Sequence, residues 1–167
     1  MVDALSIIGA NYLWFAIMGI AVVYFLLRPR REQKRMLILA MLVLPLVYLI
    51  SLIAGALYYD PRPFVVEHFT PLIPHRPSNG FPSDHVLWSA ATAAIIFPSN
   101  KSLSLILWLL TVLVGASRMY VGVHHPMDIA GSIVMAVVAS TIVYLLVKRM
   151  KLFGDSNSRP TNVTPPK

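Results

Sequence analysis

Five apolar runs, at about residues 5–27, 36–59, 83–97, 102–120 and 126–147, leave this chain few ways to fold. A run of about 20 apolar residues crosses roughly 30 Å of hydrocarbon as a helix. There the helix satisfies every backbone N–H and C=O internally, so helices rather than open sheets are required. The first run is too long for the apolar core of a signal peptide and lacks an Ala-x-Ala-like cleavage site, so it reads as a span. The third is short, about 22 Å of helix, and is expected to begin beneath the membrane surface, with the segment before it dipping inward. The expected fold is an all-α polytopic transmembrane bundle of about five spans. It forms one domain over residues 1–151, with a polar, proline-containing cytoplasmic tail at 152–167 expected to be disordered. A composition of 57% hydrophobic and 13% charged residues excludes an ordinary soluble domain. The absence of cysteine excludes disulfides and thiolate metal sites.

The charges orient the bundle. Five basic residues (Arg28, Arg30, Arg31, Lys34 and Arg35) follow the first run, and basic residues favour cytoplasmic loops. Putting that loop inside places every Lys and Arg inside except Arg62, Arg76 and Arg118. The same choice puts His68, His75, His85, His124 and His125 on the outer face. A net charge of +7 distributed this way points to a membrane, not to nucleic acid.

Three polar clusters fall on that outer face. The first surrounds Arg62, held between Pro61 and Pro63 just past the second run. An isolated Arg there is a snorkelling anchor, but flanking prolines stiffen the backbone and fix where the guanidinium points. The second is Pro82, Ser83, Asp84 and His85, opening the third run. Ser83 is a natural helix cap, and the free N–H groups of that first turn also suit an anion. His85 lies beside them, placed to give a proton to a leaving oxygen. The third cluster is Ser117, Arg118, His124, His125 and Asp128, between the fourth and fifth runs. A carboxylate four residues after His124 can orient its ring as a base or nucleophile.

No metal or cofactor is expected. The sequence offers no carboxylate cluster of the kind hard cations need, and no His-Glu-x-x-His spacing for zinc. Two arginines, a helix start, two histidines and a carboxylate suit metal-free phosphoryl transfer, in which positive groups stabilise the equatorial oxygens.

These clusters resemble the type-2 phosphatidic acid phosphatase superfamily of membrane lipid phosphatases, over roughly residues 36–148. That pattern reads Lys-x6-Arg-Pro, Pro-Ser-Gly-His, then Ser-Arg-x5-His-x3-Asp. The third motif is complete in Ser117, Arg118, His124 and Asp128. In the second, Asp84 replaces Gly; in the first, Arg62 and Pro63 stand but Gly55 occupies the Lys position. The resemblance implies His124 as the nucleophile that carries the phosphoryl group, Asp128 as its orienting partner and His85 as general acid. It implies Arg62, Ser83 and Arg118 as the phosphate-binding set, with Arg76 a candidate to replace the missing Lys by charge alone. The Pro-Ser-Asp-His form is most similar to the bacterial undecaprenyl-diphosphatase branch associated with bacitracin resistance. The implied partners are a lipid phosphate or diphosphate and the plasma-membrane bilayer, with the site facing outward. Phosphatidylglycerophosphate phosphatase or a broad lipid phosphatase is the alternative substrate class. A non-catalytic lipid-binding membrane protein, such as a transporter subunit, is the remote one.

Overall fold

The structure, a computed structural model, describes residues 1–150; the expected tail at 152–167 lies outside them. Six helices follow one another: α1 (Val2–Leu26), α2 (Arg30–Leu57), α3 (Pro63–Val66), α4 (Asp84–Ile96), α5 (Lys101–Tyr120) and α6 (Pro126–Arg149). The all-α expectation holds, and four of the about five expected spans are present at full length. Among the described residues only α1, α2, α5 and α6 are long and apolar enough to cross a membrane. The third run forms the 13-residue α4 instead, roughly 20 Å long.

The placement of α4 accounts for its length. It packs against α1, α2, α5 and α6 together, and is the one helix that touches all four. A helix enclosed by protein need not match the hydrocarbon thickness, which constrains only lipid-exposed backbone. Its small residues, Ser89, Ala90, Ala91 and Ala93, are fully buried and let neighbouring backbones come close. Val86 and Ile96 meet Ile17, Leu107 and Val114 on one side. Leu87 and Ile95 meet Val43, Val47, Met135 and Val143 on the other. The start of α4 is also deep. His85 in its first turn lies against Trp14, eleven residues along α1 from Asp3, or about 16 Å of helix rise. Asp3 itself accepts a hydrogen bond from Tyr120 at the end of α5.

Two further expectations are refined. The basic stretch at 28–35 is not a loop: α2 begins at Arg30, with Pro29 as its N-cap residue, a position that suits the fixed φ of proline and its missing N–H. Arg28 pairs with Glu32 one turn on. The proline-rich segment at 60–82 is irregular as its prolines require, apart from the single turn of α3. At the far end, Asn100 caps α5 by accepting the Leu103 N–H at 3.0 Å, which makes the α4–α5 connection tight. The chain therefore gathers the 60–82 segment, the start of α4, the end of α5 and the start of α6 at one end of the bundle.

Candidate active site

Asn79 holds the 60–82 segment in place. Its amide donates to the carbonyls of Gly55 and Tyr58, each at 3.0 Å, so it closes the end of α2. Its oxygen accepts the N–H groups of Asp60 at 2.9 Å and Phe81 at 3.0 Å. Next to it, Gly80 is required by close approach: a Cβ there would sit 2.9 Å from Asp128 Oδ2 and 3.1 Å from the Asp60 carbonyl. This clamp aims Arg62 inward. Its Nη1 donates to the Val123 carbonyl at 2.8 Å, and its Nη2 to the Asn79 carbonyl at 3.2 Å. Nη1 also lies 3.3 Å from His124 Nε2. Arg62 is only 7% exposed. Burial lowers its pKa, opposed by Asp128 and Asp84, yet a guanidinium remains charged.

Ser83 precedes α4 in the N-cap position but makes no side-chain cap. Its hydroxyl is buried without a partner among the described residues. Its backbone N–H donates instead to Ser132 Oγ at 2.9 Å, and that hydroxyl lies 2.7 Å from the Asp128 carbonyl. Ser132 thereby ties the start of α4 to α6. The first backbone N–H groups of α4 remain free for an anion.

The turn between α5 and α6 places the third cluster. Gly122 takes φ +82° there, with the Phe69 ring 2.5 Å from where a Cβ would be, so only glycine fits. Arg118, 3% exposed, donates Nη1 to the Ala10 carbonyl at 3.4 Å and faces His75 Nε2 at 3.1 Å. His124 Nδ1 is 3.1 Å from Asp128 Oδ2, and the His125 N–H donates to the same oxygen at 2.9 Å. Asp128 is wholly buried and His124 4% exposed. A carboxylate on Nδ1 keeps the proton there and leaves Nε2 with its lone pair. Burial lowers the His124 pKa; Asp128 pulls the other way, and the two arginines add to the lowering. The ring is thus neutral near pH 7 with Nε2 available.

One cavity of about 430 Å³ connects these groups, lined by Arg62, Asp84, His85, Arg118 and His124, with Ser51 and Gly55 on the α2 wall. Ser83 and Asp128 are buried beside it. Arg76 is exposed and outside its lining. At Gly55 a Cβ would approach the Phe81 carbonyl at 3.2 Å, leaving little room for a side chain. A second cavity of about 450 Å³, between α2, α4, α5 and α6, is walled by apolar side chains such as Leu39, Val43 and Trp108 and carries no histidine or arginine.

Three participants escaped the sequence reading. Asn79 gave a signal, since Asn-Gly marks a tight turn. Ser132 lies one helical turn after Asp128, a spacing that puts both on one face. His75 gave none beyond being one more imidazole on the polar face. It lines the cavity, and burial together with Arg62 and Arg118 lowers its pKa to about 4. Asp60, His125 and Asp128 also bring ligand-type atoms within 4.8 Å of one another, a grouping hidden by sequence distance. Asp128 Oδ2 serves His124 and His125, and His125 Nδ1 lies 3.2 Å from Asp60 Oδ1, whereas His125 Nδ1 and Asp128 Oδ1 have no hydrogen-bond partner among the described residues.

The family described as the PAP2 superfamily matches residues 36–151. Undecaprenyl-diphosphatase BcrC of Bacillus subtilis (strain 168) is 34% identical over 65% of this chain and 54% of its own length. The bacitracin transport permease protein BcrC of Bacillus licheniformis is 31% identical over 81% of this chain and 66% of its own. The putative undecaprenyl-diphosphatase YbjG of Escherichia coli (strain K12) is 31% identical over 64% and 54%. The chain thus spans between about half and two thirds of the length of these relatives. The crystal structure of Aquifex aeolicus LpxE superposes with a TM-score of 0.67 over 86% of each chain at 22% identity, a likeness of fold.

Nitrogen NMR of histidine-labelled protein tests the electrostatics. His75 is expected to stay neutral well below the ordinary imidazole value of 6.5, and His124 to protonate only below that value. The folded state then binds fewer protons than the unfolded one, so stability falls as pH drops from 6.5 toward about 4. An imidazolium signal from His75 at pH 6.5, or a His124 midpoint at or above 6.5, would contradict this.

Proposed function

The chain belongs to the PAP2 superfamily, and we propose that it is an integral membrane lipid phosphatase that hydrolyses undecaprenyl diphosphate to undecaprenyl phosphate and phosphate. The observation that carries this reading is the His124–Asp128 pair, with Nε2 of His124 directed to Arg62 at the wall of a cavity holding a second buried arginine.

In this mechanism Arg62, Arg118 and the free N–H groups of α4 hold the terminal phosphate, with the unpartnered Ser83 hydroxyl beside them. They neutralise its charge as it transfers. His124 Nε2 attacks the phosphorus; the N–P bond forms as the bridging P–O bond breaks, and undecaprenyl phosphate leaves with the oxygen. His85 supplies the proton that the departing oxygen needs. Water then attacks the phosphohistidine. His85 takes its proton, the N–P bond breaks, and phosphate is released with Nε2 restored. Asp128 stays ionised, holding the tautomer and stabilising the ring as it gains positive character.

The names of the relatives support a diphosphate lipid as substrate. One relative is named for transport; a transport role gives no reason for an imidazole locked by a buried carboxylate beside two buried arginines. The charge distribution supports an extracytoplasmic cavity: the α1–α2 and α4–α5 turns and the end of α6, with Lys101, Lys148 and Arg149, lie at the opposite end.

Phosphate release by purified protein in detergent with a chelator, comparing undecaprenyl diphosphate, phosphatidylglycerophosphate and phosphatidic acid, tests the reaction. The diphosphate is expected to be preferred, undiminished by the chelator. His124→Ala is expected to lose about a thousandfold or more in turnover with helix content retained. Preference for a glycerolipid overturns the substrate, and unchanged release by His124→Ala overturns the mechanism. For orientation, Arg76→Cys places a single thiol on an exposed site outside the cavity lining. It is expected to react with an impermeant reagent in intact cells; reaction only after permeabilisation reverses the topology.

A further inference from the structure

The two catalytic imidazoles are held differently. Asp128 fixes the ring of His124, whereas the His85 ring takes no hydrogen bond among the described residues. A proton-transfer group must nevertheless be held within a narrow range of positions. What touches the His85 ring is Trp14 of α1, at a centroid distance of 5.1 Å and an interplanar angle of 71°, the edge-to-face arrangement that aromatic pairs favour. The Trp14 Nε1 is buried with no partner among the described residues. A buried indole N–H usually finds one, so it is the ring contact, not the N–H, that this tryptophan supplies.

Trp14 does not act on the site alone. Ala10, one turn earlier on the same face of α1, accepts the Arg118 hydrogen bond through its carbonyl. Gly9 lies so close to Ser117 that a Cβ on it would fall 2.3 Å from the hydroxyl. Ile17, one turn later, is fully buried among Val86, Leu107 and Val114. This face of α1 therefore backs both the cationic and the proton-transfer side of the cavity. All of it lies outside residues 36–151, the part matched to the superfamily.

We propose that Trp14 is a positioning residue that holds the His85 imidazole at the cavity wall by ring packing, which makes α1 part of the active site. This rests on the role given to His85 above. Undecaprenyl phosphate leaves as a stabilised anion and depends less on gaining the His85 proton than water depends on losing one, so a displaced His85 slows the second step more than the first. Loss of Trp14 then leaves the phosphohistidine waiting for hydrolysis.

The test uses the full chain in detergent and undecaprenyl diphosphate labelled in its terminal phosphate. Phosphate release and alkali-stable protein-bound phosphate are measured together. In Trp14→Leu release is expected to fall between about tenfold and a hundredfold while bound phosphate rises, and Trp14→Phe is expected to restore both. Unchanged release overturns the proposal. So does a fall in release and bound phosphate together, which is the mark of a merely structural defect. His85→Ala run in parallel separates the two readings. If it accumulates phosphoenzyme and Trp14→Leu does not, only the Trp14 proposal falls; if it does not accumulate, the acid–base role of His85 falls and takes the proposal with it. Should Trp14→Leu not fold, fluorine NMR of fluorotryptophan-labelled protein is decisive. The Trp14 resonance, assigned by its absence in Trp14→Phe, must shift in His85→Gln; an unmoved resonance overturns the contact.

Discussion

A wholly buried carboxylate inside an apolar helix bundle is the constraint around which this structure is arranged. An unpaired buried charge costs several kcal/mol even after the protein relaxes, so Asp128 must be answered by donors. The His124 ring and the His125 N–H supply them from the turn just before α6. Ser132 and Gly80 adapt the surroundings, the first by joining α6 to the start of α4, the second by letting the 60–82 segment pass against the carboxylate. Answering Asp128 Oδ2 thus orients the His124 ring, while Oδ1 has no partner among the described residues; in the proposed mechanism that orientation fixes where phosphorus is attacked.

The same electrostatics leave the cavity short of negative charge. Arg62 and Arg118 are both buried, and several of their donors are taken by backbone carbonyls of Val123, Asn79 and Ala10. Each Nε remains unpartnered among the described residues. Against two guanidiniums stand one buried carboxylate and Asp84, which is exposed at the cavity. An anion entering the cavity relieves this imbalance, and in a water-poor site each contact is worth more than in bulk solvent. The short central α4 makes the arrangement possible: starting from a deep Ser83, it presents its free N–H groups and His85 to the cavity below the end of the bundle.

Much of this was legible in the sequence because ionisable residues between apolar runs are scarce and costly. Arg62, His85, Arg118, His124 and Asp128 stood out for that reason, and the His124–Asp128 contact followed from a spacing of four residues. What was not legible depended on distant partners. Asn79 and His75 sit in an irregular segment whose path is set by the end of α2 and by Arg118, and Trp14 reads in sequence as one more aromatic residue in an apolar run. The third run was counted as a span on hydropathy, which cannot distinguish a helix enclosed by protein from one facing lipid. The basic stretch after α1 read as a loop because its charges concealed a helix start at Pro29.

In the proposed mechanism Nε2 of His124 is the atom that receives phosphorus. An experimental structure with orthovanadate, which mimics a transferring phosphoryl group, tests it most directly. Vanadium is expected to bond to His124 Nε2, with equatorial oxygens against Arg62 and Arg118 and an apical oxygen toward His85. Vanadium bonded to His85 or His125, or held in the cavity away from His124 by the arginines alone, would contradict it.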